Sequence, residues 1–174
     1  MEKQKIYTIG HSTRSFEELV LMLQSFGIKV LVDIRNYPGS RMFSHFNKEY
    51  LEEALPQNGI KYVHLKELGG RRKPLPDSRN TAWRVAAFRG YADYMETSPF
   101  KEAIKQLEKL GKKAPVAYMC SEALWWSCHR ALVSDYLKFR GWNVIHIMDK
   151  GKGTPHTYTS PARIINDRLA YGIE

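Results

Sequence analysis

No stretch of the 174-residue chain is apolar over anything near the roughly 20 residues that span a bilayer, so no membrane helix is expected. Met1-Glu2-Lys3-Gln4-Lys5 runs straight into a strand pattern and not into a signal-peptide core, which makes a cytoplasmic location the expectation. Sulfur is scarce as well. The 2 cysteines, Cys120 and Cys128, allow one bridge at most, so a disulfide framework is excluded and reduced thiols are expected. No Cys-x-x-Cys pair offers a structural zinc site. Acidic residues are outnumbered, 18 against 27 basic ones, and the resulting charge of +9 favours anionic partners. There is no internal repeat, low-complexity tract or linker. With 43% hydrophobic and 26% charged residues, the chain suits a single globular domain over residues 1–174.

Lys5 to Ile9 is β-rich and stops at Gly10-His11-Ser12-Thr13, after which Phe16, Leu19, Val20, Leu23 and Phe26 recur at helical spacing. Ser15 before Glu17-Glu18 marks a helix start, and Gly27 a C-cap. Val30 to Arg35 then reads as a buried parallel strand. The alternation continues with a helix at 48–55, a strand at 61–65, helices at 91–95 and 100–110 separated by Ser98-Pro99, and a strand at 115–119. Gly111 is read as the end of the second of these helices. A helix running from Ser121 through Phe139 and a strand at 144–147 follow. The tail reads as loop over 151–160 and as a short helix over 161–171. The expected fold is α/β: one mainly parallel sheet of about five strands with helices on both faces.

In such a sheet the ligand site lies beyond the carboxyl ends of the strands, and there the polar residues collect. His11, Ser12 and Arg14 follow the first strand; Asp33, Arg35, Tyr37, Ser40 and Arg41 the second; Gly69, Gly70 and Arg71 the third; Cys120, Ser121 and Glu122 the fourth. Asp33 and Arg35 share a face of their strand. The segment from Cys120 to Arg130 holds two thiols, a carboxylate, an imidazole and a guanidinium. A phosphatase or sulfurtransferase loop would carry an arginine six residues after its cysteine, but position 126 is Trp. On an unbroken helix Glu122 and His129 lie on one face with Trp126 between them. Arg130 is expected to pair with Asp33 or Glu122, or to hold a ligand. Cysteines are also common core residues, and an isolated histidine is commonly structural.

Thr8-Ile9-Gly10-His11-Ser12, Asp33-Ile34-Arg35 with Pro38 and Ser40, Leu68-Gly69-Gly70, Arg89-Gly90-Tyr91, and Cys120-x-Glu122 with Cys128-His129-Arg130 together resemble the DUF488 family over nearly the whole chain. The resemblance implies a compact α/β domain whose loops form a common site. It implies no reaction, substrate or cofactor.

The function expected from the residues is an enzyme with an arginine-rich cleft that binds a phosphate-containing ligand, a nucleotide or nucleic acid, for hydrolysis or group transfer. Glu122 and His11 are its acid/base candidates, and Cys120 a nucleophile or site wall. Ser12, Arg14, Asp33, Arg35, Ser40, Arg41, Gly69, Gly70, Arg89, Tyr91, His129 and Arg130 are the binding candidates. No cofactor and no metal are expected, Asp33, Glu122 and His129 being the one set able in principle to gather a hard cation. One alternative is a non-catalytic nucleic-acid module using exposed Tyr37, Phe43 and Trp83. The other is a thiol-redox protein using Cys120 and Cys128.

Overall fold

Strand β1 (Lys5–Gly10) leads into helix α1 (Phe16–Ser25), whose start is fixed by a reciprocal cap. Ser15 Oγ accepts from the Glu18 N–H at 3.1 Å, and Glu18 Oε1 accepts from the Ser15 N–H at 3.1 Å. Gly27, at φ +67°, turns the chain out of the helix where an L side chain is disfavoured. The computed structural model describes residues 3–172. Its further strands are β2 (Val30–Asp33), β3 (Lys61–His64), β4 (Val116–Cys120), β5 (Asn143–Asp149) and β6 (Lys152–Pro155). They form one sheet in the order β3-β2-β4-β1-β5-β6, in which the first five are parallel and β6 runs antiparallel to β5. The remaining helices are α2 (Lys48–Ala54), α3 (Ala86–Tyr94), α4 (Ser98–Lys113) and α5 (Arg130–Phe139).

The period-2 alternation of β4 divides the core in two. Val116, Tyr118 and Cys120 join Phe100, Leu107, Leu132 and Leu137 of α4 and α5. Ala117 and Met119 join Leu19, Leu23 and Leu51 of α1 and α2, with Leu55 at the end of α2, on the opposite face. The molecule is thus a single three-layer α/β domain. Its neighbouring strands β1 and β4 send their connections to opposite faces, β1 to α1 and β4 to α5. Diverging loops of that kind open a crevice at the carboxyl ends of the strands.

Four expectations are corrected. The tail is not loop and helix: Lys152–Pro155 extends the sheet, and a hairpin of β7 (Arg163–Ile165) and β8 (Arg168–Ala170) closes the chain. Its turn is Asn166-Asp167, both at positive φ, a pair of residue types that tolerates the left-handed conformation a two-residue hairpin demands. Helix α4 runs past Gly111 to Lys113. Gly111 is there for packing, since a Cβ would come within 3.1 Å of the Trp142 ring. The N-cap of α4 is Thr97, with Ser98 as its first residue. Finally, no helix begins at Ser121. Residues 121–129 form an irregular loop with a single 3-10 turn at Trp125–Ser127, and α5 starts only at Arg130. The carbonyls of Glu122 and Ala123 are taken by the Arg130 side chain, which deprives a helix of its first acceptors.

Candidate functional site

Two arginines, Arg35 largely covered and Arg130 fully buried, organise the carboxyl edge of the sheet, one on each face. On the α1/α2 face Arg35 grips Asp33 with two bonds, Nε to Oδ1 at 2.8 Å and Nη2 to Oδ2 at 2.7 Å. Asp33 is fully buried. Tyr62 also donates to it, Oη to Oδ2 at 2.5 Å. Arg35 donates further to the Phe46 carbonyl at 2.7 Å and to His11 Nε2 at 3.1 Å. An arginine can only donate, so His11 Nε2 is the acceptor, and Nδ1 carries the proton that goes to the Ser12 carbonyl at 2.9 Å. His11 is therefore neutral, and burial chiefly, with the Arg35 charge, brings its pKa down to about 4. Its ring stacks on Phe46 at 4.3 Å.

The opposite face carries sulfur. Cys120, at the end of β4, and Cys128, two residues before α5, bring their Sγ atoms to 2.8 Å. Both are free thiols. Gly10 keeps the loop close above them, because a Cβ there would fall 1.7 Å from the Glu122 carbonyl oxygen. Arg130 is 1% exposed and donates to the carbonyls of Glu122 (2.9 Å) and Ala123 (3.2 Å) and to Thr8 Oγ1 (3.3 Å). Its Nε finds no partner. Among the described residues no carboxylate lies within 4.0 Å of it. Burial raises the Cys120 thiol, but the Cys128 S–H and the Arg130 charge outweigh it and bring the pKa down to about 7. Cys128 moves the other way, held well above its ordinary value by burial and by Cys120.

From Arg130 a line of buried polar groups crosses the core. Thr8 Oγ1 meets His146 Nδ1 at 2.6 Å, His146 Nε2 meets His156 Nδ1 at 2.8 Å, and His156 Nε2 donates to Asp135 Oδ1 at 2.7 Å. Thr159, through its N–H and its hydroxyl, and the Tyr171 hydroxyl also donate to the Asp135 carboxylate. With one donor per link, and His156 donating to the carboxylate, the order runs from Thr8 O–H through His146 and His156 to Asp135. Burial first, then His156 and Arg130, lower the His146 pKa to about 2. Trp125 stacks flat on His146 at 4.6 Å, which is where the irregular loop places it.

The anticipated residues divide between these clusters. His11, Asp33 and Arg35 come together; Cys120 and Arg130 come together; His11 and Cys120 touch only through the backbone, His11 N–H to the Cys120 carbonyl at 3.1 Å, their side chains lying on opposite faces. The Glu122 residue is exposed and shares no helix with His129. Arg130 pairs with neither Asp33 nor the Glu122 carboxylate. His129 donates from Nε2 to the Ile34 carbonyl at 2.9 Å and lies behind Gly70, where a Cβ would be 2.8 Å from its Nδ1. Tyr91 is core, its hydroxyl donating to Leu68. Arg14 clasps the Gly10 and Met148 carbonyls, and Arg89 reaches the Trp83 carbonyl at 3.3 Å. Ser12 takes φ +51° beside His11, while Ser40 and Arg41 stand exposed on the loop after β2. Gly69 packs on Asn36. Of the aromatics named for base stacking, Tyr37 is 74% exposed, whereas Phe43 and Trp83 pack against the two cores. Among the described residues no three His, Cys, Asp or Glu side chains gather to hold a metal ion.

Thr8, Asp135, His146 and His156 went unanticipated. The signal was present, since Thr8 and His146 put polar side chains within the apolar runs Ile6–Ile9 and Val144–Ile147, but nothing in their spacing links them.

A family model described as a domain of unknown function, DUF488, matches residues 15–137. The match contains Asp33, Arg35, both cysteines, Arg130 and Asp135, and leaves Thr8, His11, His146 and His156 outside it. No curated protein and no solved structure matches the chain. No helix among the described residues is long and apolar enough to cross a membrane.

Proposed function

The chain belongs to the DUF488 family, whose description carries no activity, and from its side chains we propose that it is a thiol–disulfide exchange protein using Cys120 and Cys128. The observation that carries this reading is the 2.8 Å between the two sulfurs, within about 0.8 Å of a bonded pair. Closing the bond requires little movement and releases two protons and two electrons.

The two sulfurs take different parts. Cys120 is 2% exposed and Cys128 partly exposed, so an incoming thiolate reaches Cys128. Attack there forms a mixed disulfide and expels Cys120 as a thiolate beside the buried Arg130 charge. A low-pKa thiol is the better leaving group. A second thiol of the substrate then attacks the mixed disulfide, leaving Cys128 reduced and the substrate as a disulfide. A thiolate stabilised in this way favours the reduced protein, which makes its disulfide an oxidising one.

Mild oxidation followed by intact-mass and peptide analysis tests the reading. The expected product is a monomer lighter by two hydrogens, with a Cys120–Cys128 crosslink that dithiothreitol reverses and that is absent from Cys128→Ser. Sulfinic acid on either cysteine, or dimers linked through Cys128, in place of the crosslink would overturn it.

A further inference from the structure

Arg35 and Arg130 are engaged internally, yet the basic charge has a second focus. A cleft of about 530 Å³ opens between the loops after β2 and β3 and the ends of α3 and α4, lined by Asn36, Tyr37, Lys66, Glu67, Gly70, Arg71, Arg72, Tyr94 and Pro99. We propose that this cleft binds a mononucleotide, with the base on Tyr37 and the phosphates on Arg71 and Arg72.

Three features carry the assignment. The first is unspent charge: three cations face one carboxylate in the cleft, and among the described residues none of Lys66, Arg71 and Arg72 has a carboxylate within 4.0 Å. The second is fixed geometry. The Arg72 guanidinium lies 3.7 Å over the Tyr94 ring while its Nε donates to the Gly69 carbonyl at 3.3 Å. That leaves its Nη atoms as a preset fork suited to phosphate. Tyr94 is itself held, its hydroxyl donating to the Glu67 carbonyl at 2.6 Å. The third is backbone strain. Arg71 sits at φ +62°, a left-handed conformation that is strained for a non-glycine residue and recurs at ligand sites. It follows Gly70, whose lack of a Cβ lets the chain lie against His129.

The ligand class follows from the shape. Lys66 Nζ stands 5.3 Å over the Tyr37 ring, and Tyr37, 74% exposed, is the more exposed of the two aromatic residues on the cleft wall. Exposed aromatic rings of this kind are platforms on which nucleic-acid bases stack. The volume suits one nucleotide and lies within the roughly 300–1,000 Å³ of small-ligand sites. The 16-residue helix α4 begins beside Pro99, and the positive end of its dipole adds to the same field.

Isothermal titration with ATP, inorganic phosphate and a short single-stranded oligonucleotide tests the site in wild type, Arg71→Ala, Tyr37→Ala and the Cys120→Ser/Cys128→Ser double variant. Arg71 and Tyr37 are exposed, so their variants fold, as thermal melting will verify. Saturable one-to-one ATP binding is expected, weakened at least about tenfold by Arg71→Ala and severalfold by Tyr37→Ala. Phosphate alone is expected to bind more weakly. The double cysteine variant retains ATP binding, which keeps this test separate from the thiol reading. Failure of ATP to bind, ATP binding indifferent to both Arg71→Ala and Tyr37→Ala, or preference for the oligonucleotide with affinity collapsing as salt rises would each overturn the assignment.

Discussion

Arg35 and Arg130 sit at the same edge of one sheet, on opposite faces, and are buried in opposite ways. Arg35 has its counter-ion inside the fold: Asp33 takes two of its N–H groups and Tyr62 braces the carboxylate. Arg130 has only neutral acceptors, two carbonyls and a threonine, and an Nε left over. A buried charge without a partner is expensive. The pair teaches that an arginine gripped by a carboxylate is architecture, whereas on the proposed thiol reading Arg130 is a charge whose counter-ion is the Cys120 thiolate.

The contrast is sharpest in what each removal costs. Asp33→Ala strands the Arg35 charge in the core and is expected to destabilise by about 3–5 kcal/mol in urea unfolding. Acid comes next. His11 and His129 are neutral when folded with pKa values near 4, both chiefly through burial. An unfolded histidine, near 6.5, takes its proton first as pH falls. Stability from these two, and from His146 whose pKa lies lower still, is therefore full above pH 6.5 and is lost between 6.5 and 4, at about 3 kcal/mol each. Urea midpoints across that range check this, and a flat profile would contradict the neutral assignments. Arg130→Met removes a charge that has no carboxylate, so its expected stability cost is smaller, about 1–3 kcal/mol for the acceptors left bare. It also raises the Cys120 thiol pKa, read as a thiolate absorbance that develops at higher pH than in the wild type. Equal costs for Asp33→Ala and Arg130→Met would erase the distinction. The smallest effect is expected at Ser15→Ala, about 1 kcal/mol for a lost capping box, measured by thermal melting.

The Ser15 cap, the apolar face of α1 and the all-buried Val30 to Asp33 run were legible because periods of 3.6 and 2 are local. The Asp33–Arg35 pair was legible only as two residues on a shared face: β2 ends at Asp33, and Arg35, expected to hold a phosphate, turns back to grip that carboxylate. Residues 121–129 were not legible, because Leu124, Trp125 and Cys128 satisfy a helical pattern while the Arg130 side chain claims the carbonyls that a helix needs. The hairpin at 163–170 was misread for a related reason: Ile164, Ile165 and Leu169 fit either period, and the Asn166-Asp167 turn decides. The Asp135–His156–His146–Thr8 line joins residues up to 138 positions apart, a proximity that only the strand order β4-β1-β5 creates.

The measurement closest to the central claim is the ultraviolet thiolate absorbance of the reduced protein against pH, in wild type, Cys120→Ser and Arg130→Met. One thiol ionising near pH 7, lost in Cys120→Ser and moved upward in Arg130→Met, is the result this account predicts. A wild type whose thiols stay protonated up to pH 9, or a neutral-pH step that survives Cys120→Ser, would contradict it.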